Sequence, residues 1–212
     1  MNAEQEAIKV VLLGAAGVGK SSIVKRYITD DFSPLEQSTL GSSYHSKTVK
    51  YKENSYKLQI WDTAGQEKYA PLAVMYYRDA HVVLLVYDRS SKESFDVLKK
   101  WYEEVNEKGS TNAILFVVGN KSDIDVEEVT PATAKSYADS IDALWKTISA
   151  KNNDGIKELF ECIIAQVLSK KGMLTSGKKG GGSFLTKNPE TSNGTPRSNA
   201  KPSTDNGKSG CC

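Results

Sequence analysis

The sequence predicts an α/β fold, on three observations. Apolar strand-like runs alternate with stretches of helical period; GAAGVGKS (Gly14 to Ser21) joins the first such run to the first helical stretch; and NKSD (Asn120 to Asp123) closes another apolar run. With 39% apolar residues in 212, residues 1–170 hold enough for one core.

Along the chain, Ile8, Val10, Val11, Leu12 and Leu13 read as a buried strand. Ser22 to Ile28 reads as an amphipathic helix with Ile23, Val24, Tyr27 and Ile28 on one face. Strand, glycine-rich loop, helix is the order a phosphate-binding loop requires. Thr48 to Ile60 reads as a hairpin at the sheet edge with Asn54 and Ser55 at its turn, and the alternation of Tyr56, Leu58 and Ile60 marks its second strand. Phe95, Leu98, Tyr102 and Val105 give one helix face. Ile114 to Gly119 gives a strand, and Thr130 with Pro131 an N-cap and first helical position. Ile156, Leu159, Phe160, Ile163, Ile164 and Val167 line a last helix, on which Cys162 reads as a buried structural thiol; Trp101 and Phe160 read as plain core.

Glycines at 14, 17 and 19 let backbone N–H groups approach an anion without Cβ clashes, and the following helix N-terminus adds a favourable dipole. In this reading the segment Ala15, Ala16, Gly17, Val18, Gly19, with Ser22 beyond it, cradles phosphates. Lys20 brings an ammonium to the β- and γ-phosphates, and the Ser21 hydroxyl ligates Mg²⁺. DTAGQE (Asp62 to Glu67) follows the second hairpin strand, so Asp62 stands at a strand end facing the nucleotide and would hold Mg²⁺ through water. Gly65 offers its N–H to the γ-phosphate, and Gln66 can orient an attacking water. Either segment alone could be a plain turn; together they specify a phosphate site.

NKSD selects the base. The Asp123 carboxylate accepts from the N1–H and exocyclic amine of guanine, whereas adenine would turn a lone pair toward the charge. The Asn120 amide can brace the loops, Lys121 can lay its stem over ribose or base, and in SAK (Ser149, Ala150, Lys151) the Ala150 N–H can meet O6.

These residues resemble the Ras-like small GTPases, and within them the Rab family, over residues 6 to 170 and the last two cysteines. The resemblance implies a P-loop NTPase G domain: a mostly parallel six-stranded sheet with one antiparallel edge strand and helices on both faces. It implies GTP as substrate, GDP as product and Mg²⁺ as cofactor, with Ser21 and Thr39 as side-chain ligands beside Asp62, Thr39 and Gly65 bearing on the γ-phosphate, Phe32 stacked on guanine, and Gln66 with Lys20 as the catalytic pair. TLGSSY from Thr39, KLQIWDTAGQEKY from Lys57, YYRDA from Tyr76 and LVYD from Leu85 are similar to Rab-defining segments, and Tyr44, Trp61 and Tyr76 to an effector-reading aromatic triad. IWDTAGQEKYAPLAVMYYR looks most like the early-endosomal branch. The partners implied are a GTPase-activating protein, a guanine nucleotide exchange factor, effectors, and escort and GDP-dissociation-inhibitor proteins. The protein would act as a monomer without nucleic acid, on the cytoplasmic face of endomembranes (endosomal), cycling with the cytosol. Ala16 stands where many members have glycine, its methyl near the space needed by Gln66 and an incoming arginine, which bears on fast stimulated hydrolysis. Glu36 stands where an aromatic often covers the phosphates, Ser42, Ser43 and Tyr44 replace a small-acidic-Phe pattern, and Asp79 replaces glycine, changes on the expected partner surface that argue for divergent effectors.

From 171 to 212 the composition turns to Gly, Ser, Thr, Asn, Pro and Lys, with Phe184 and Leu185 the only large apolar pair, which predicts a disordered tail. Its net charge is +5 within a chain total of +2; this is equally consistent with an anionic membrane surface and with a solvated linker. MNAEQEAIKV has no apolar core of a signal peptide, and no run approaches the roughly 18 apolar residues of a membrane span. The terminal Cys211 and Cys212 depart from a CaaX box and resemble the Rab signal for two geranylgeranyl lipids, enough for stable anchoring.

The leading expectation is therefore a membrane-attached GTP/GDP switch in vesicle trafficking that hydrolyses GTP slowly. A nucleotide-bound interaction module deficient in hydrolysis, which Ala16 would allow, is the alternative, and Asp123 argues against an ATP-using P-loop enzyme.

Overall fold

The computed structural model describes residues 6–35, 37–65, 70–110 and 112–177, with backbone alone for 70–72 and 173–177. Glu36, Gln66, Cys211 and Cys212 lie outside the described residues. The chain divides into two units after Lys170.

Five parallel strands and one antiparallel strand form a single sheet: β1 (Glu6–Leu13), β2 (Ser42–Tyr51), β3 (Asn54–Thr63), β4 (Val82–Asp88), β5 (Ile114–Asn120) and β6 (Leu144–Thr147), in the order β2-β3-β1-β4-β5-β6. Strand β2 is the antiparallel edge. The neighbours of β1 are β3 and β4, so the chain reverses its direction of travel across the sheet at the C-terminal end of β1. A crevice at such a reversal is where open α/β sheets bind ligands.

The helices are α1 (Lys20–Thr29), α2 (Ala70–Tyr77), α3 (Lys92–Lys108), α4 (Pro131–Ser140) and α5 (Ile156–Gly177). Because side chains alternate along a strand, Val11, Leu13, Val83, Leu85, Tyr87 and Val117 pack on one sheet face with Tyr77 of α2, Phe95, Leu98 and Trp101 of α3, and Ala134 and Ala138 of α4. The intervening Val10, Leu12, Leu84, Phe116 and Val118 are equally inaccessible. Their face is left to α1 and α5, joined by a stack of Tyr27 on Phe160 at 3.7 Å. Strand β4 is buried at every residue, as a central parallel strand must be. Thr130 caps α4 by accepting from the Thr133 N–H, with Pro131 in its first turn.

Two local expectations are corrected. Helix α1 begins at Lys20 rather than Ser22, because the glycine loop hands over to the helix at Gly19. The hairpin runs from Ser42 to Thr63 and turns at Lys52 and Glu53, not at Asn54 and Ser55; Tyr51 pairs Asn54, and Lys52 takes φ +52°. This register sets Val49 opposite Tyr56 and Tyr44 opposite Trp61. Such cross-strand aromatic and β-branched pairs contribute about 0.2–1 kcal/mol each, enough to outweigh the turn preference of Asn54.

Candidate functional site

The glycine loop leaves β1, the DTAG segment leaves β3, NKSD leaves β5 and SAK follows β6, so parallel strand ends deliver all four to one edge of the sheet. There they line a cleft of about 420 Å³. Its wall includes Ala16, Gly17, Gly19, Lys20, Ser21, Ser22, Phe32, Thr39, Gly65, Asn120, Lys121, Asp123, Ala150 and Lys151. Ala15, Val18, Asp62 and Ser149 stand behind that wall and hold it.

At one end, Lys20 is 5% exposed, and its Nζ donates to the Gly14 and Ala15 carbonyls, both at 2.8 Å. The ammonium is thereby parked inside the loop. Burial pulls its pKa down to about 8, with the Asp62 charge opposing. Lys20 therefore sheds its proton as pH rises through about 8, while an anion held in the loop would restore it. On binding GDP, Lys20 is expected to take up about three-quarters of a proton at pH 8.5 and almost none at pH 6.5. Calorimetry in two buffers of different ionisation heat measures this, and equal uptake at both values would remove Lys20 from the phosphate site.

Beside Lys20, the Ser21 hydroxyl donates to Asp62 Oδ2 at 2.6 Å, lies 2.8 Å from Thr39 Oγ1, and Thr39 Oγ1 donates to the same Oδ2 at 3.3 Å. Asp62 is 2% exposed, yet its Oδ1 has no hydrogen-bond partner. Burial raises the carboxyl pKa against the pull of Ser21, Lys20 and Thr39. A buried carboxylate oxygen without a donor, flanked by two hydroxyls, fits a hard divalent cation that also takes phosphate oxygens, as Mg²⁺ does. Among the described residues no three His, Cys, Asp or Glu side chains gather for a metal, so such a site would depend on these hydroxyls and one carboxylate. Gly65 closes this end: a Cβ there would lie 2.4 Å from the Ala15 carbonyl carbon and the Ala16 nitrogen. Its backbone thus packs directly on the glycine loop.

At the other end, Asp123 Oδ1 accepts from Ser149 Oγ at 2.5 Å and Oδ2 lies 3.6 Å from Lys151 Nζ. Asn120 is 2% exposed and spans three loops, donating from Nδ2 to the Val18 carbonyl at 2.8 Å and accepting at Oδ1 from the Ala150 N–H at 3.1 Å. The Ala150 N–H, assigned above to the base, is here held by Asn120. Lys121 takes φ +65° and turns its ammonium to Asp88 Oδ2 at 2.7 Å, leaving its stem on the cleft.

Asp88 and Arg26 were missed in the sequence. Asp88 ends β4 at the same sheet edge as Asp62 and Asn120. Burial opposes its charge, but hydrogen bonds from Lys121 and Ser90 prevail and hold its carboxyl below the usual range. The available signal was a polar residue ending an unbroken apolar strand. Arg26 has no such signal, since an arginine in the last turn of a helix reads as ordinary charge complementarity.

The effector candidates lie outside the cleft and touch one another. Tyr44 and Trp61 rings are 5.1 Å apart, Trp61 and Tyr76 5.0 Å. Tyr44 stays 47% exposed, and Leu40 and Met75 are also exposed.

Residues 9–169 match the Ras family. The chain is 47% identical to Ras-related protein Rab-22A of Homo sapiens over 174 residues, 82% of this chain and 90% of that one. It is 47% identical to Ras-related protein Rab-31 of Rattus norvegicus over 161 residues, 76% and 83% of the two chains. Ras-related protein RABF2b of Arabidopsis thaliana is 41% identical over 153 residues, 72% and 76%.

Proposed function

The chain belongs to the Ras family of small GTPases, among its Rab members, and from that premise we propose how its residues bind, read and hydrolyse GTP. The observation that carries the reading is the cleft itself, with the Lys20 ammonium and the Ser21, Thr39 and Asp62 group at one end and the Asp123 carboxylate, held by Ser149, at the other. Guanine sits between Phe32 and the Lys121 stem, with Asp123 accepting its N1–H and amine. The Ala150 N–H passes from Asn120 to O6. The phosphates enter the loop from Ala15 to Ser22, and Lys20 leaves the Gly14 and Ala15 carbonyls for the β- and γ-oxygens. Ser21 and Thr39 would hold Mg²⁺, with Asp62 behind them; when bound, Mg²⁺ neutralises charge on the phosphate oxygens. Gly65 offers its N–H to the γ-phosphate and Gln66 orients the attacking water.

No arginine occurs between Tyr27 and Tyr77. Neither segment facing the γ-phosphate can supply a cationic finger in cis, so intrinsic turnover falls well below the roughly 10⁻² s⁻¹ of proteins that carry one. An activating protein supplies it in trans. An exchange factor reloads GTP, and effectors read the Tyr44, Trp61 and Tyr76 surface. Residues 1–170 act as the G domain and 171–212 as a tail that places geranylgeranyl groups on Cys211 and Cys212 at an endosomal membrane, from which escort and GDP-dissociation-inhibitor proteins retrieve the chain. Among the described residues no helix is long and apolar enough to cross a membrane.

A second reading rests on Ala16. The Gly65 backbone packs against the Ala16 nitrogen, which a Cβ on Gly65 would approach to 2.4 Å, and crowding by the Ala16 methyl group at that junction would leave a nucleotide-bound module with negligible turnover. Phosphate release separates the two. The expected result is slow release from GTP with an excess of ATP failing to compete, accelerated by an activating protein and further by Ala16→Gly. Release undetectable in wild type but present in Ala16→Gly would favour the module, and competition by ATP would overturn the guanine reading.

A further inference from the structure

Arg26 makes two hydrogen bonds to carbonyls 124 and 125 residues away in the chain. Its side chain is 14% exposed at the last turn of α1. Its Nε donates to the Ala150 carbonyl at 2.9 Å and its Nη2 to the Lys151 carbonyl at 2.9 Å, so the guanidinium fork grips two successive carbonyls of the base-reading loop. Its Nη1 donates to the Asp30 carbonyl at 2.8 Å, and its guanidinium carbon lies 5.8 Å from the Phe32 ring centre. Asp30 is the left-handed C-cap of α1, and its Oδ1 accepts from Asn153 Nδ2 at 2.9 Å, a second tie to the same loop.

Resting on the guanine reading above, we propose that Arg26 is a positioning residue that sets nucleotide residence time by clasping the two walls of the base pocket to each other. One wall is Phe32, two residues beyond the Asp30 cap. The other is Ala150 and Lys151. The base leaves only when these walls part, and Arg26 is the side chain that bonds to both sides of that opening. Arg26 is not among the residues that line the cleft, so it braces the walls without reading the base. Asn153 and Asp30 form the weaker, parallel tie, since Asp30 is exposed to water. A rigid fork is needed because the two carbonyls are gripped together; a lysine ammonium reaches one of them.

The test is stopped-flow association and chase dissociation of fluorescent GDP from the full chain with Mg²⁺. Arg26→Ala is expected to raise the dissociation rate about tenfold or more, as loss of charge-assisted bonds allows, with the association rate unchanged within about twofold and the preference for GDP over ADP retained. Arg26→Lys is expected to recover only part of the slow release, and Asn153→Ala to give a smaller rise in the same direction. Leu159→Ala, in the core of α5, controls for general loosening. Wild-type failure to bind fluorescent GDP would overturn the guanine reading itself. With binding intact, the clasp is overturned if Arg26→Ala dissociates like wild type, if Arg26→Lys releases as slowly as wild type, or if Leu159→Ala accelerates release as much.

Discussion

Asp123→Asn is expected to weaken GTP binding by roughly a hundredfold, about 2.7 kcal/mol, and to shift preference toward xanthosine triphosphate. The carboxylate has both oxygens already placed, Oδ1 by the Ser149 hydroxyl at 2.5 Å and Oδ2 facing Lys151 at 3.6 Å. It would therefore meet the base as a fixed pair of acceptors. An amide presents one acceptor and one donor, and the donor faces the guanine amine or N1–H while xanthine offers a carbonyl there. Removing one partner of a buried polar set exposes the rest to the full desolvation cost, which is why the loss exceeds that of one neutral hydrogen bond. Titration with fluorescent GTP and XTP measures it, and unchanged GTP affinity would show that Asp123 does not read the base.

Gly14→Ala is expected to destabilise the fold by about 4 kcal/mol, beyond the usual range for a single surface change. Gly14 takes φ +147°, and a Cβ there would lie 2.1 Å from the Val86 carbonyl oxygen. That oxygen belongs to β4, the immediate parallel neighbour of β1 in the centre of the sheet, so it has nowhere to go. Gly17 is the contrast. It takes φ +78°, but nothing lies within 4 Å of a Cβ there, and Gly17→Ala should cost only about 1–2 kcal/mol of backbone strain. Urea unfolding of both variants in the absence of nucleotide measures the difference; equal losses would mean that φ strain, and not the approach of Val86, governs both sites.

The parts legible in the sequence were those whose chemistry is local. The glycine loop, the DTAG segment and NKSD each announce a strand end by an apolar run that stops in polar residues, and a parallel sheet delivers such ends to one edge without further information. The face of α3 and the cap of α4 at Thr130 were equally local. What escaped depends on partners far away in the chain. The hairpin turn follows from the pairing of Val49 with Tyr56 and Tyr44 with Trp61 rather than from Asn54. Asp88 matters because Lys121 turns to it, and Arg26 because loop carbonyls 124 and 125 residues distant come within its reach. Single-residue propensity carries none of these.

The open end of the hairpin has a consequence for signalling capacity. Ser42 pairs with Thr63, and just outside that pair the Ala64 N–H donates to the Gly41 carbonyl at 2.7 Å. The segment carrying Thr39 and the segment carrying Gly65 are therefore stitched together at a common root, within a few residues of the atoms that would sense the γ-phosphate. Two sensors on separate supports could report four combinations. Two sensors hung from one stitched root would report one variable, so a partner that touches either segment would learn the state of both, and the molecule would transmit a single bit.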